Sequence, residues 1–126
     1  MLNKFSAHCT KFQNIRCNNV TIKAMVADTD ETRQRGLAGV ADLPDDYGML
    51  FDFGQEQPTT FWMKGCKQDL SVAFITKYGV IVDIQEMSLR NPTTLHYSPV
   101  PVRYALETNP GFFTRHNIAP GDKISF

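Results

Sequence analysis

The sequence predicts a β-dominated α+β domain: a compact, mostly antiparallel, barrel-like small sheet with one or two short helices. Three observations carry that prediction. About seven short runs rich in β-branched and aromatic residues are separated by Gly, Pro, Asn and Asp turns. The connections between them are short, which suits antiparallel pairing. Helix signals occur in two stretches, both brief. A chain of 126 residues has the length of one domain and buries enough surface to fold without a disulfide or metal staple. Closing or nearly closing the sheet hides its edges.

Taken in order, residues 1–14 lack periodicity and read as a loose arm, leaving 15–126 as the single domain. Asn18-Asn19 is a turn signal, and Val20 to Val26 reads as a strand. Asp28 suits a helix N-cap, with Glu31 completing a capping-box pattern and Gly36 as the C-cap of a short helix. Leu43 to Gly48 is a turn, Met49 to Phe53 a strand, and Gly54 to Pro58 a loop. Thr59 to Lys64 reads as a further strand. Leu70 to Thr76 and Val80 to Met87 form a hairpin with Gly79 at its left-handed position. Pro92, Pro99 and Pro101 make Asn91 to Pro101 an extended loop. Val102 to Glu107 alternates as a strand. Pro110 opens a short helix. Ala119 to Asp122 turns into a closing strand, Lys123 to Phe126.

Composition narrows the function classes. Thirteen basic residues balance thirteen acidic ones, so a whole-surface electrostatic nucleic-acid binder is not expected. The N-terminus lacks the roughly 7–15 residue apolar core of a secretory signal. No window approaches the roughly 18 apolar residues of a membrane span. These features predict a soluble, cytoplasmic protein with no membrane partner. Cys9, Cys17 and Cys66 make an odd set, read as unrelated free thiols, with a Cys9–Cys17 bridge or metal pair as the alternative. Histidines and cysteines lack ligand spacing, so no metal is expected. With no phosphate-cradling glycine motif either, no cofactor is expected. Acids crowd Asp28 to Glu56, while the N-terminal region carries only cations. Both are ordinarily solvated faces.

Candidate chemistry comes from strand faces. In Thr59 to Lys64, Phe61 and Met63 point one way, and Trp62 and Lys64 the other, so both faces carry large apolar groups. Such a strand is covered on both sides, or Trp62 lines a concavity. A core indole is the ordinary reading; Lys64 beside it favours a pocket rim. In Val102 to Glu107, Val102, Tyr104 and Leu106 share one face, and Arg103, Ala105 and Glu107 the other. Arg103 and Glu107 make either a solvated charge pair or the wall of a cleft shared with Lys64. Cys66 follows Lys64-Gly65 and is a conceivable nucleophile with His96 or His116 as base, but no nucleophile motif surrounds it.

Gly48-Met49-Leu50-Phe51-Asp52-Phe53 followed by Phe61-Trp62-Met63-Lys64 resembles the DUF192 (UPF0127) family. The resemblance runs from about Val20 to Phe126. It takes in Arg35-Gly36-Leu37, Phe74-Ile75, Gly79, Leu106-Glu107, Gly111 and Gly121-Asp122. It implies a compact β-rich single domain and no particular activity. Members occur in bacteria, archaea and some phages, and many look exported. The family pattern after Phe-Trp-Met-Lys reads Asn-Thr, then Pro-Leu-Asp. This chain has Gly65-Cys66 and Asp69-Leu70-Ser71 there. Asp69 offers a carboxylate near the family's aspartate, whose place Ser71 holds two positions further on.

The expectation is a noncatalytic module that binds a small molecule or a protein partner. Its site is a groove of Trp62, Lys64, Arg103 and Glu107, joined by Asp69 and Arg35, for an anionic or hydroxyl-rich ligand. The alternatives are a small hydrolase using Cys66 or the Asp69/Glu107 carboxylates, and a structural or assembly protein, such as a phage component.

Overall fold

Alternation of apolar side chains to two sides, rather than one, governs this molecule. In the computed structural model, which describes residues 11–126, the elements are β1 (Phe12–Cys17), β2 (Val20–Ala27), α1 (Asp30–Arg35), β3 (Tyr47–Gln57), β4 (Thr60–Phe61), β5 (Leu70–Ile75), β6 (Ile81–Met87), β7 (His96–Tyr97), β8 (Val102–Thr108), α2 (Phe112–Arg115) and β9 (Ile124–Ser125). Seven strands form one curled half-barrel sheet in the order β6-β5-β8-β3-β2-β1-β9, and β4 pairs with β7 apart from it. The architecture is the expected β-dominated α+β domain with two short helices.

Successive residues of the central strands feed two cores. Met49 and Phe51 of β3, Val72 and Phe74 of β5 and Ala105 of β8 pack on one side, covered by Leu37, Val40, Leu43 and Met63. Leu50, Ala73, Ile75, Tyr104 and Leu106 pack on the other, covered by Phe112, Phe113, Ile118 and Ile124. All six residues of β5 are buried, as a strand covered on both faces requires.

All pairs in the large sheet are antiparallel save β2 with β3, where Met25 lies opposite Met49. A parallel pair needs a crossover. The crossover here, residues 28–46, carries α1 and then Leu37, Val40 and Leu43 onto the first core. β8 lies between β3 and β5, with Glu107 opposite both Met49 and Val72. Gly48 makes that spacing possible: a Cβ there would fall 2.6 Å from the Glu107 carbonyl oxygen.

Several expectations need correction. The proposed arm falls partly outside the described residues, but Phe12 to Asn14 belong to β1, paired with Met25 to Lys23. The polar residues Gln13, Asn14 and Arg16 mask the buried Ile15 and Cys17 in the sequence. The α1 cap is Thr29, not Asp28: the Thr29 hydroxyl accepts from the Thr32 N–H, and the Thr32 hydroxyl accepts from the Thr29 N–H. Asp28 instead accepts a 2.7 Å bond from Lys11. β3 runs on through Gly54 to Gln57, where a loop was expected. The Thr59–Lys64 strand shrinks to Thr60–Phe61, because its partner β7 is two residues long and the Met63 N–H turns to the Pro92 carbonyl. That partner lies inside the expected Asn91–Pro101 loop. Val102 packs with Ala105 rather than with Tyr104 and Leu106, because the β3–β8 register slips between Asp52 and Gln57.

Candidate functional site

The crossover carrying α1 and the segment after β4 converge above the first core. They are tied where the Gly39 N–H donates to the Gly65 carbonyl, 3.1 Å away. Gly65 sits at φ 85°, a conformation suited to glycine. Between these two connections lies a pocket of about 250 Å³. Its mouth carries Arg33, Arg35, Trp62 and Lys64; its walls are Phe51, Phe53 and Phe61; Cys66 and Glu107 lie deep within it.

Trp62 is 48 % exposed, so the indole is not a core residue. The Lys64 ammonium stands 5.4 Å from its ring centroid, a cation–π distance. Phe61 meets Phe51 edge-on at 5.0 Å between centroids and Phe74 at 6.0 Å, which anchors the wall to the core. Arg33 donates to the Asp30 carboxylate and to the Asp52 carbonyl, both at 2.9 Å.

Glu107 is 4 % exposed, yet it lines the pocket. Among the described residues no N–H or hydroxyl donates to its carboxyl. Burial pushes that carboxyl up to about 8, and among the described residues no cation lies close enough to pull it down. Burial and the nearby Glu107 push the Cys66 thiol up to about 11, so it stays a thiol at neutral pH.

Four of the six residues singled out in the sequence, Trp62, Lys64, Glu107 and Arg35, therefore line one pocket. Arg103 does not pair with Glu107. Its Nε and Nη2 donate to Asp52 at 3.1 and 3.3 Å, and it lies outside the pocket lining. The Asp52 carboxyl also accepts from the Gly54 N–H; the Arg103 and Gly54 bonds outweigh its burial and hold it below the usual range. Asp69 is exposed and accepts from the Leu89 N–H at 2.8 Å, away from the pocket. Sequence reasoning missed Arg33, Phe51, Phe53 and Phe61; the one available signal was the Arg33/Arg35 pair just before Gly36. Cys9 lies outside the described residues, and Cys17 is buried. No group of His, Cys, Asp and Glu among the described residues is placed to hold a metal ion. No described helix is long and apolar enough to cross a membrane.

The DUF192 family, described as an uncharacterized ACR, matches residues 13–126, and the chain belongs to it. Two solved structures share the fold. A protein from Sinorhizobium meliloti 1021, described as a candidate transcription regulator, is 30 % identical with a TM-score of 0.89, covering 93 % of this chain and 95 % of its own. A protein of unknown function from Novosphingobium aromaticivorans DSM 12444 is 24 % identical with a TM-score of 0.86, covering 91 % and 85 %. No curated protein matches the chain.

Proposed function

We propose that this DUF192 domain is a noncatalytic binding module that takes one small ligand into the pocket under Trp62. The observation that carries this reading is the Glu107 carboxyl: buried, lining a cavity, and without a protein partner among the described residues. The cavity leaves that carboxyl open to a hydrogen bond from a ligand atom. Trp62 and Phe61 provide apolar area. Lys64 and Arg35 orient an anionic or hydroxyl-rich end.

The pocket also holds Cys66, the one observation favouring a hydrolase. Its thiol, pushed up to about 11, lacks the depressed acidity of an activated nucleophile. The S. meliloti neighbour is described as a candidate transcription regulator. The two described helices here, of six and four residues, are short for groove reading, so our reading stops at ligand binding.

Trp62 is the only tryptophan, so its fluorescence reports this pocket. A screen of metabolites and glycans should produce a saturable change in emission. Lys64→Ala should weaken the responding ligand at least tenfold. Arg103→Ala, outside the pocket, should leave its affinity within twofold. Silence across the whole screen would remove the binding reading.

A further inference from the structure

We infer that the ligand is amphoteric: a small molecule with an amine end that sits against Glu107 and a carboxylate or phosphate end that sits at Arg35 and Lys64. This rests on the reading of the pocket as a binding site and names the chemistry it selects.

The two ends of the pocket are complementary to opposite charges. At depth, Glu107 offers two oxygens and has no donor from the protein among the described residues. At the mouth, Arg35 and Lys64 have no carboxylate partner among the described residues, whereas Arg33 beside them is held by Asp30 and the Asp52 carbonyl. Between the ends stand the Phe51, Phe53 and Phe61 rings, which neither donate nor accept strong hydrogen bonds. Glu107's opposite neighbours on β3 and β5, Met49 and Val72, are apolar, and Cys66 is the titratable group beside it. A purely anionic ligand would meet the floor carboxyl only in its neutral form, with no charge to pair there. A neutral polyol would leave the mouth cations unused. A molecule with both charges uses both ends. The cavity, about 250 Å³, lies near the small end of ligand sites, roughly 300–1,000 Å³. That size suits something close to an amino acid.

The proton balance follows. Burial keeps Glu107 largely protonated at neutral pH. An ammonium entering as a cation stabilises the ionised carboxyl, so Glu107 gives its proton to solvent and the bound pair is ammonium with carboxylate. Binding near pH 7 then releases close to one proton per ligand.

The test uses the full chain and three probe sets read by Trp62 emission and calorimetry. Glycine, 4-aminobutyrate and 6-aminohexanoate are each compared with the acid and the amine that lack one end: acetate and methylamine, butyrate and propylamine, hexanoate and pentylamine. At least one aminocarboxylate should bind tenfold or more tighter than both of its one-ended analogues. Its calorimetric enthalpy should vary with buffer in proportion to about one released proton. Glu107→Gln should abolish the proton release and reduce its affinity to that of the plain acid. Lys64→Ala with Arg35→Ala should reduce it to that of the plain amine. Because the proton count is read on the unmodified protein, a variant that fails to fold leaves the test intact. Acids binding as tightly as the aminocarboxylates, an absence of proton release, or no response in all three sets would overturn the amphoteric assignment. The first of these outcomes leaves the pocket a binding site. Silence in the broader metabolite and glycan screen is what removes the pocket reading itself.

Discussion

Glu107 shows how one side chain can link pH to stability. In the unfolded chain its carboxyl titrates near 4.5; in the fold, burial pushes it up to about 8. Below about 4.5 both states are protonated and the group contributes its full share. Between about 4.5 and about 8 the unfolded chain sheds the proton while the native state keeps it. Stability therefore falls as pH rises through that window, by up to about 1.4 kcal/mol per pH unit from this group. Urea unfolding of Glu107→Gln between about pH 5 and about pH 8 should lack this downward slope. An unchanged slope would place the titration elsewhere. Asp52 acts with the opposite sign and lower down. Held below its ordinary value, it contributes stability above that value which is lost as pH falls through the lowered one. Its Arg103 pair is partly solvated, so removing the guanidinium should cost only about 0–1 kcal/mol.

At the scale of elements, α1 is the most exposed to a single change. It is six residues long and buries none of them, so its ends matter more than its face. Thr29→Ala removes the hydroxyl that accepts from the Thr32 N–H and should cost about 1 kcal/mol in urea unfolding. Because α1 carries Arg33 and Arg35 to the pocket, the same variant should weaken the ligand. Undiminished affinity would show that α1 need not be ordered for binding. The helix itself was legible from Gly36 and the cap residues before it. Which of two adjacent cap-type residues does the capping was not, because Lys11, distant in sequence, occupies Asp28. The same holds for the pocket. Trp62 and Lys64 were legible as a local pair, and Glu107 as a carboxylate in an alternating strand. The Phe51, Phe53 and Phe61 wall was not, because those rings read as ordinary core until β3 and the segment after β4 are placed together. Arg103 was mispaired with Glu107 for a related reason: local alternation carries no sign of the slip opposite Asp52.

Over the whole molecule, the sheet curls until its two edges touch at one end. Val80 bridges to Lys123, the Ile81 N–H donates to the Asp122 carbonyl, and the Ile124 N–H donates to the Gly79 carbonyl. Gly79 is the pivot. It has φ 83°, and a Cβ on it would lie 2.8 Å from the Ile124 carbonyl oxygen. Gly79→Ala should lower the melting temperature and speed hydrogen exchange at Ile124 while sparing Val72 and Leu106 in the centre. Equal acceleration at all three would mean that the seam and the centre open as one unit.

The strand on one side of that seam, β9, also pairs with β1, joining parts of the chain that are made far apart. Arg16 pairs with Ser125, more than a hundred residues away along the backbone. Folding rate falls as such separations grow, so docking β9 on β1 is the step that waits. Until then the outer rim of β1 has no neighbour, and during synthesis or refolding it is the place where another polypeptide can bind first.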